Sequence, residues 1–154
     1  FAVLNLNAQK TKDDDHHEDH DHHAHFKNEL GLALLPVYFV NERELTYGIH
    51  FHFIHNIGDS KFGIGLGYEH VFDEHKHNTI GIAGSFRPIE PLSFNSSPGI
   101  SFEGSDISEL KFAVHFETTY EFELGPFHIG PLLEIAYDPE DYHLSLGLHL
   151  GYGF

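Results

Sequence analysis

The sequence contains no cysteine, no methionine and no tryptophan among its 154 residues. Without cysteine there is no disulfide framework, no thiolate metal site and no cysteine nucleophile. Basic residues are scarce: 8 Lys and Arg stand against 24 Asp and Glu, for a formal net charge of −16. This balance argues against a nucleic-acid partner, because little would neutralise the phosphates. No apolar run reaches the roughly 18 residues that a transmembrane helix needs.

The residues that are abundant favour a single folded domain with unusual chemistry. Hydrophobic residues make up 40% of the chain and aromatic residues 14%, which is too much for a disordered protein. The length leaves no room for two domains. Histidine and glycine are the unusual components, with 16 and 15 copies.

The first residues resemble a processing remnant. Residues 1–9 read FAVLNLNAQ, a short apolar stretch that ends in small and polar residues. This pattern is typical of the end of a secretory hydrophobic region and its cleavage site, and the initiating Met and the basic region are not present. We expect a cut beside Ala8 or Gln9. The alternative is an ordinary short strand.

An acidic, histidine-rich tail follows. Residues 13–25 read DDDHHEDHDHHAH, which cannot bury a core, so we expect residues 10–28 to be disordered. Neutral imidazole is a common ligand of Zn²⁺, Cu²⁺ and Ni²⁺, and neighbouring carboxylates add oxygen ligands. The alternative is a solvated spacer. The candidate ligands of the tail are His16, His17, His20, His22, His23 and His25.

From residue 29 onward the hydrophobic pattern has a period of two. In residues 142–154, apolar side chains at even positions alternate with His, Ser and Gly at odd positions, as in a β-strand with two unlike faces. Turn residues separate eight such segments, and the short connections predict an up-and-down antiparallel meander. The predicted strands are roughly 29–40, 44–55, 61–72, 77–87, 91–102, 109–123, 127–137 and 142–154.

Eight antiparallel strands are expected to close into a barrel, which removes the open sheet edges. The apolar face carries roughly 40 large side chains, whereas a filled eight-stranded barrel holds on the order of 12 in three layers. The apolar face must therefore point outward, where only lipid stabilises it, and the small and polar face must line the lumen. The eight predicted strands are long enough to cross a membrane at a tilt, as the strands of membrane barrels do. The predicted fold class is all-β, an eight-stranded antiparallel up-and-down transmembrane β-barrel with a polar lumen.

Two further features lead to a family resemblance. Aromatic residues concentrate near the segment ends, as in the interfacial girdles of membrane barrels. The last strand, with Ser145, Gly147, Leu150, Tyr152 and the terminal Phe154, is similar to the C-terminal signal that outer-membrane barrels present to the bacterial assembly machinery. Residues 29–154 thus resemble the small eight-stranded OmpA/OmpX-type outer-membrane proteins, although the loops expected outside the cell are very short. The resemblance implies an outer-membrane location with the N-terminal tail in the periplasm.

Hairpin arithmetic groups the inward His and Glu residues into two candidate metal sites. Centring the turns at residues 125–126 and 139–140 pairs Glu123 with His128 and Glu117 with Glu134. Either group has the nitrogen and oxygen ligands that Zn²⁺ accepts. The group near the periplasmic end is Glu123, His128 and His149, and the central group is His115, Glu117, Glu134 and His143. Facing carboxylates need a cation, and Lys111 or Arg87 could supply it without a metal.

These patterns predict a non-enzymatic outer-membrane protein that binds or buffers transition-metal ions through its tail. We expect outer-membrane lipid and the assembly machinery as partners, together with a metal-uptake receptor that takes the ion. No cofactor is required, and Zn²⁺ or another divalent transition metal is the candidate bound ion. The first alternative is a structural or accessory barrel whose lumen is plugged by charged hydrogen bonds. The second is a lipid-modifying enzyme with a nucleophile such as Ser145.

Overall fold

The computed structural model describes residues 26–154 and consists of β-strands joined by short turns. The expected processing remnant, residues 1–9, and the six tail histidines from His16 to His25 lie outside the described residues. The described residues include no helix long and apolar enough to span a membrane. The strands are β1 Asn28–Phe39, β2 Glu44–Asn56, β3 Phe62–Val71, β4 His77–Ile89, β5 Leu92–Glu103, β6 Asp106–Tyr120, β7 Phe122–Leu124, β8 Phe127–Tyr137 and β9 Tyr142–Gly153.

The strands form one closed antiparallel barrel. Each strand pairs with its sequence neighbour, except that β6 and β7 both pair with β8, and β1 pairs with β9 to complete the ring. The predicted strand 109–123 is split into β6 and β7 at Glu121, whose backbone N–H donates to the carbonyl of Pro91. Both parts pair with β8 in one continuous register. They act as one strand, so the predicted count of eight is confirmed.

The large apolar side chains point away from the barrel axis, as predicted. Along β9, Leu144, Leu146 and Leu148 are 44%, 67% and 50% exposed, whereas Ser145 and His149 are each 1% exposed. Aromatic rings contact one another on the outer surface at both ends of the barrel: Phe127 with Tyr152 at the end that carries the terminus, and Tyr137 with Tyr142 at the other. The outer surface has the apolar band and aromatic rims of a membrane barrel.

The lumen is less polar than the sequence pattern predicts. Part of its wall is an apolar cluster that includes the buried side chains of Leu35, Val37, Phe39 and Leu132. From Ala33 to Phe39 the inward positions of β1 are apolar as well as the outward ones, so this part of the strand has no polar face to mark its orientation. These side chains fill the space that the polar side chains leave, as close packing of a protein interior requires.

A charge on the outer surface tests the orientation. Leu148 lies halfway along β9, and we expect Leu148→Arg to destabilise the barrel by about 2–4 kcal/mol in phospholipid vesicles, since the guanidinium would enter hydrocarbon. Ile107 provides the control, because it lies in the β5–β6 hairpin beyond Val114, where pairing with β8 begins. We expect Ile107→Arg to cost less than about 1 kcal/mol. Urea unfolding followed by circular dichroism measures both, and equal costs would contradict an outward apolar band.

Candidate functional site

The central part of the lumen collects inward residues from five strands. Glu117 on β6 is the register partner of Glu134 on β8, as the hairpin arithmetic predicts. His115 and His143 both pair with Ala136, from opposite sides, and the small side chain of Ala136 leaves them room. All four His and Glu side chains are buried. The structure therefore brings together the predicted central group.

Two further residues, which the hairpin arithmetic did not include, join the central group in the structure. His50 on β2 and Glu69 on β3 are register partners and point across the lumen. The Nδ1 atom of His50 lies 2.7 Å from Oε1 of Glu117 and 3.5 Å from Oε2 of Glu134. The sequence marked both residues as inward, but their partners lie on strands that are distant in the chain. We call these six residues the central cluster: His50, Glu69, His115, Glu117, Glu134 and His143.

The second half of the central cluster surrounds Glu69. The Nδ1 atom of His115 lies 2.9 Å from Oε2 of Glu69 and 3.3 Å from Oε2 of Glu134. The Nε2 atom of His143 lies 3.6 Å from Oε1 of Glu69 and 3.7 Å from Oε1 of Glu134. Ligand atoms from these four residues all lie within 4.8 Å of one another. One ion fits among them, as it does among His50, Glu117 and Glu134, which meet the same limit.

No lysine or arginine of the described residues pairs with the central cluster. Within residues 26–154, the ion pairs of Glu69, Glu117 and Glu134 are all with imidazoles. The expectation that Lys111 or Arg87 would neutralise Glu117 and Glu134 is wrong, because both cations are held at the ends of the barrel. Arg87 pairs with Glu29 and Glu121, and Lys111 pairs with Glu103 and Glu140.

A second group lies near the end of the barrel that carries the C-terminus. Ligand atoms of Glu29, His128 and His149 lie within 4.8 Å of one another. His149 is 1% exposed, and neither of its ring nitrogens has a hydrogen-bond partner within the described residues. This terminal-mouth group borders an open cavity of about 470 Å³.

Glu123 does not belong to the terminal-mouth group, contrary to the prediction. It is the register partner of His128, so the hairpin arithmetic is confirmed, but its side chain is exposed. Glu123 lies one residue pair from the turn of the β7–β8 hairpin, and it lines the open cavity. Glu29, at the start of β1, takes the inner position instead because β1 and β9 close the barrel beside His149.

The opposite mouth carries a third set of titratable side chains. His77, Glu103 and Glu140 have ligand atoms within 4.8 Å of one another, at a cavity of about 320 Å³. The ammonium group of Lys111 donates to Glu103 at 2.9 Å and lies 2.7 Å from Glu140. A cation of the chain therefore already occupies the space between these two carboxylates.

Glycines make room for the imidazoles. A Cβ atom at Gly151 would overlap the ring of His128, and one at Gly31 would overlap the ring of His52. Both rings contact His149: the ring of His52 stacks on it with centroids 5.1 Å apart, and the ring of His128 is tilted against it with centroids 5.4 Å apart. The unusual glycine content thus serves the lumen as well as the turns.

The fold defines the class of protein that the chain resembles, the small outer-membrane β-barrels. No known protein family matches the sequence, and no curated protein is similar to it. Solved structures do share the fold.

Three solved structures illustrate the similarity. Ail of Yersinia pestis has 16% identity and a TM-score of 0.53, and the match covers 82% of this chain and 96% of that one. Neisserial surface protein A has 11% identity and a TM-score of 0.55, over 82% and 96% of the two chains. The N-terminal barrel domain of Pseudomonas aeruginosa OprF has 14% identity and a TM-score of 0.51, over 84% and 99%. At these identities the similarity shows a shared fold.

The glycine beside His128 gives a test of the terminal-mouth group. We expect Gly151→Ala to displace the ring of His128, breaking its 3.3 Å contact with Glu29, and to cost about 1–3 kcal/mol through overpacking. Imidazole NMR signals and urea unfolding measure the two effects. Gly84→Ala is the control, because its Cβ would meet only Ser96 O at an ordinary 3.8 Å. Unchanged His128 signals in Gly151→Ala would contradict this packing.

Proposed function

We propose that this chain is an outer-membrane β-barrel protein that binds divalent transition-metal ions, both in its lumen and through its histidine-rich tail. The outward apolar surface supports a membrane location, because lipid is the solvent that stabilises it. The fold that the chain shares with Ail and OprF supports the outer membrane in particular. In this arrangement both termini face the periplasm and Phe154 presents the signal to the assembly machinery.

The observation that carries the metal proposal is the composition of the central cluster. Three carboxylates and three imidazoles are buried together, and no lysine or arginine of the described residues pairs with them. Buried carboxylates need positive charge beside them, because leaving them uncompensated costs several kcal/mol. A divalent ion supplies that charge, and imidazole nitrogen and carboxylate oxygen are suitable ligands for Zn²⁺.

The rival proposal is a plugged lumen in which three protonated imidazoles balance three carboxylates. The distances favour the metal. N–H···O hydrogen bonds measure about 2.7–3.2 Å, whereas ligands held about 2.05 Å from a tetrahedral Zn²⁺ lie about 3.3 Å apart. Three of the six N···O distances in the central cluster are 3.5, 3.6 and 3.7 Å, and the other three, at 2.7, 2.9 and 3.3 Å, are within or close to the hydrogen-bond range. The three longer distances are those expected between ligands of a common ion rather than between hydrogen-bonded atoms.

The tail extends the proposal to metal supply. Its histidines and carboxylates lie immediately before Phe26 in the sequence, and Phe26 lines the same cavity as Glu29 and His128. Such a segment binds ions with modest affinity and little selectivity, because no fixed geometry rejects the wrong metal. We propose that the tail buffers the ion at this mouth and that a metal-uptake receptor is the partner that receives it.

We further propose that the protein is not an enzyme. Ser145, the candidate nucleophile of the lipid-modifying alternative, is 1% exposed and faces Glu134 inside the barrel. A lipid on the outer surface is separated from this hydroxyl by the barrel wall. This position supports binding rather than catalysis.

Zinc calorimetry on the refolded full chain tests the proposal. We expect two classes of site, a weaker one from the tail histidines and a tighter one from the lumen, whose ligands the closed barrel holds in place. Replacing the six tail histidines with serine is expected to remove the weak class and keep the tight one. Adding His115→Asn removes a proposed ligand, and we expect the zinc affinity of the tight class to fall by at least about 10–100-fold. Replacing a residue that only supports a ligand typically causes a loss of this size.

The control variant is His70→Asn, because His70 neighbours Glu69 in sequence but lies outside the lumen. It is expected to leave zinc binding unchanged. Bound zinc at 100 times the dissociation constant is expected to stabilise the barrel by about 2.7 kcal/mol. If the chain without tail histidines bound no zinc, the plugged lumen would be the correct description.

A further inference from the structure

We propose that the central cluster is a dinuclear metal centre in which the carboxylate of Glu134 bridges two divalent transition-metal ions. This inference rests on the proposed function and specifies how many ions the lumen holds and how they are joined. Glu134 is the one residue that belongs to both central ligand groups, and its side chain is fully buried.

The two oxygens of Glu134 contact imidazoles of both ligand groups. Oε2 lies 3.5 Å from Nδ1 of His50 and 3.3 Å from Nδ1 of His115, whereas Oε1 lies 3.7 Å from Nε2 of His143. A carboxylate that lies between two ligand groups in this way is placed to bind an ion in each. Such paired ions in two-metal sites lie about 3.5–4 Å apart.

Each ion then has its own ligands in addition to the bridge. The first ion is held by His50 and Glu117, and the second by His115, His143 and Glu69. The second set, with Glu134, gives four ligands, which is the number Zn²⁺ prefers, and the first set gives three. A cavity of about 10 Å³ touches His50, Glu69 and His115, at the lower limit of the space for one water molecule as a further ligand.

Unpartnered polar atoms provide a second, independent observation. Within the described residues, buried atoms of five of the six central residues have no hydrogen-bond partner: His50 Nδ1, Glu69 Oε1 and Oε2, Glu117 Oε2, Glu134 Oε1 and His143 Nε2. The Nδ1 atom of His50 is only 2.7 Å from Glu117, so the atoms are close without the alignment that a hydrogen bond requires. Buried polar atoms normally have partners, and ions would provide them here.

Two ions satisfy the charge of the central cluster as closely as one does. The three carboxylates carry −3 and the neutral imidazoles none, so one divalent ion leaves a net −1 and two leave +1. Two ions also give each carboxylate a direct metal contact, whereas a single ion reaches only one side of Glu134. Since the ligands are nitrogen and oxygen without sulfur, the centre suits Zn²⁺ and Cu²⁺.

The test uses the full chain with the six tail histidines replaced by serine. The refolded protein is loaded with Zn²⁺, desalted and assayed for metal, and the number of ions lost on substitution is measured. We expect Glu117→Gln to lose one ion and Glu134→Gln to lose two. Glu29→Gln, in the terminal-mouth group, is the matched control and must leave the central pair intact. Circular dichroism verifies the barrel in every variant.

Electron paramagnetic resonance of the Cu²⁺-loaded protein provides the second readout. A carboxylate-bridged pair gives a spin-coupled spectrum with a half-field transition, which we expect in the parent and in Glu29→Gln but not in Glu117→Gln. If Glu134→Gln fails to fold, His50→Asn replaces it, with one ion lost and the coupling abolished. An uncoupled spectrum with a single central ion would overturn the dinuclear centre and leave the proposed function standing. A parent without any lumen metal would overturn both.

Discussion

The constraint behind this structure is the closure of a narrow barrel whose outer surface must be apolar. Lipid on the outside takes the large hydrophobic side chains, so much of the inward face carries small and polar ones. Closure then forces these inward side chains together, away from water. Three carboxylates meet in the middle of the lumen because strands distant in sequence face each other across it. Every further property of the interior follows from how their charge is balanced.

The charge is balanced differently at the ends and in the middle. Arg87 at one end and Lys111 at the other each join two carboxylates. Long basic side chains suit the mouths, because their stems can lie along the wall while the charged group stays near water. Among the described residues, the carboxylates in the middle are paired only with imidazoles, which act as cations or, when neutral, as metal ligands. The carboxylates at the two ends are therefore balanced by arginine or lysine, whereas those in the middle are balanced by histidine alone.

The sequence predicted the parts of this arrangement that depend on neighbouring strands. The period of two along β9 revealed its orientation, and the turns at Gly125 and Pro139 set the register that brings Glu117 to Glu134. Contacts across the lumen were not predictable, because they depend on barrel closure and strand tilt rather than on hairpins. His50 and Glu69 were for that reason left out of the central group. Around Leu35 and Val37 both faces of β1 are apolar, so the hydrophobic pattern did not show that these two side chains point inward.

The central cluster also connects metal binding to the integrity of the barrel. Its ligands come from β2, β3, β6, β8 and β9, so the ligand set exists only after the ring has closed. An ion that binds this set therefore binds the folded state alone and stabilises it by mass action. The tail differs, because its ligands are contiguous in sequence and need no fold to meet. Under the proposed function, selectivity therefore belongs to the central cluster, since only a preformed site can reject an ion of the wrong size or geometry.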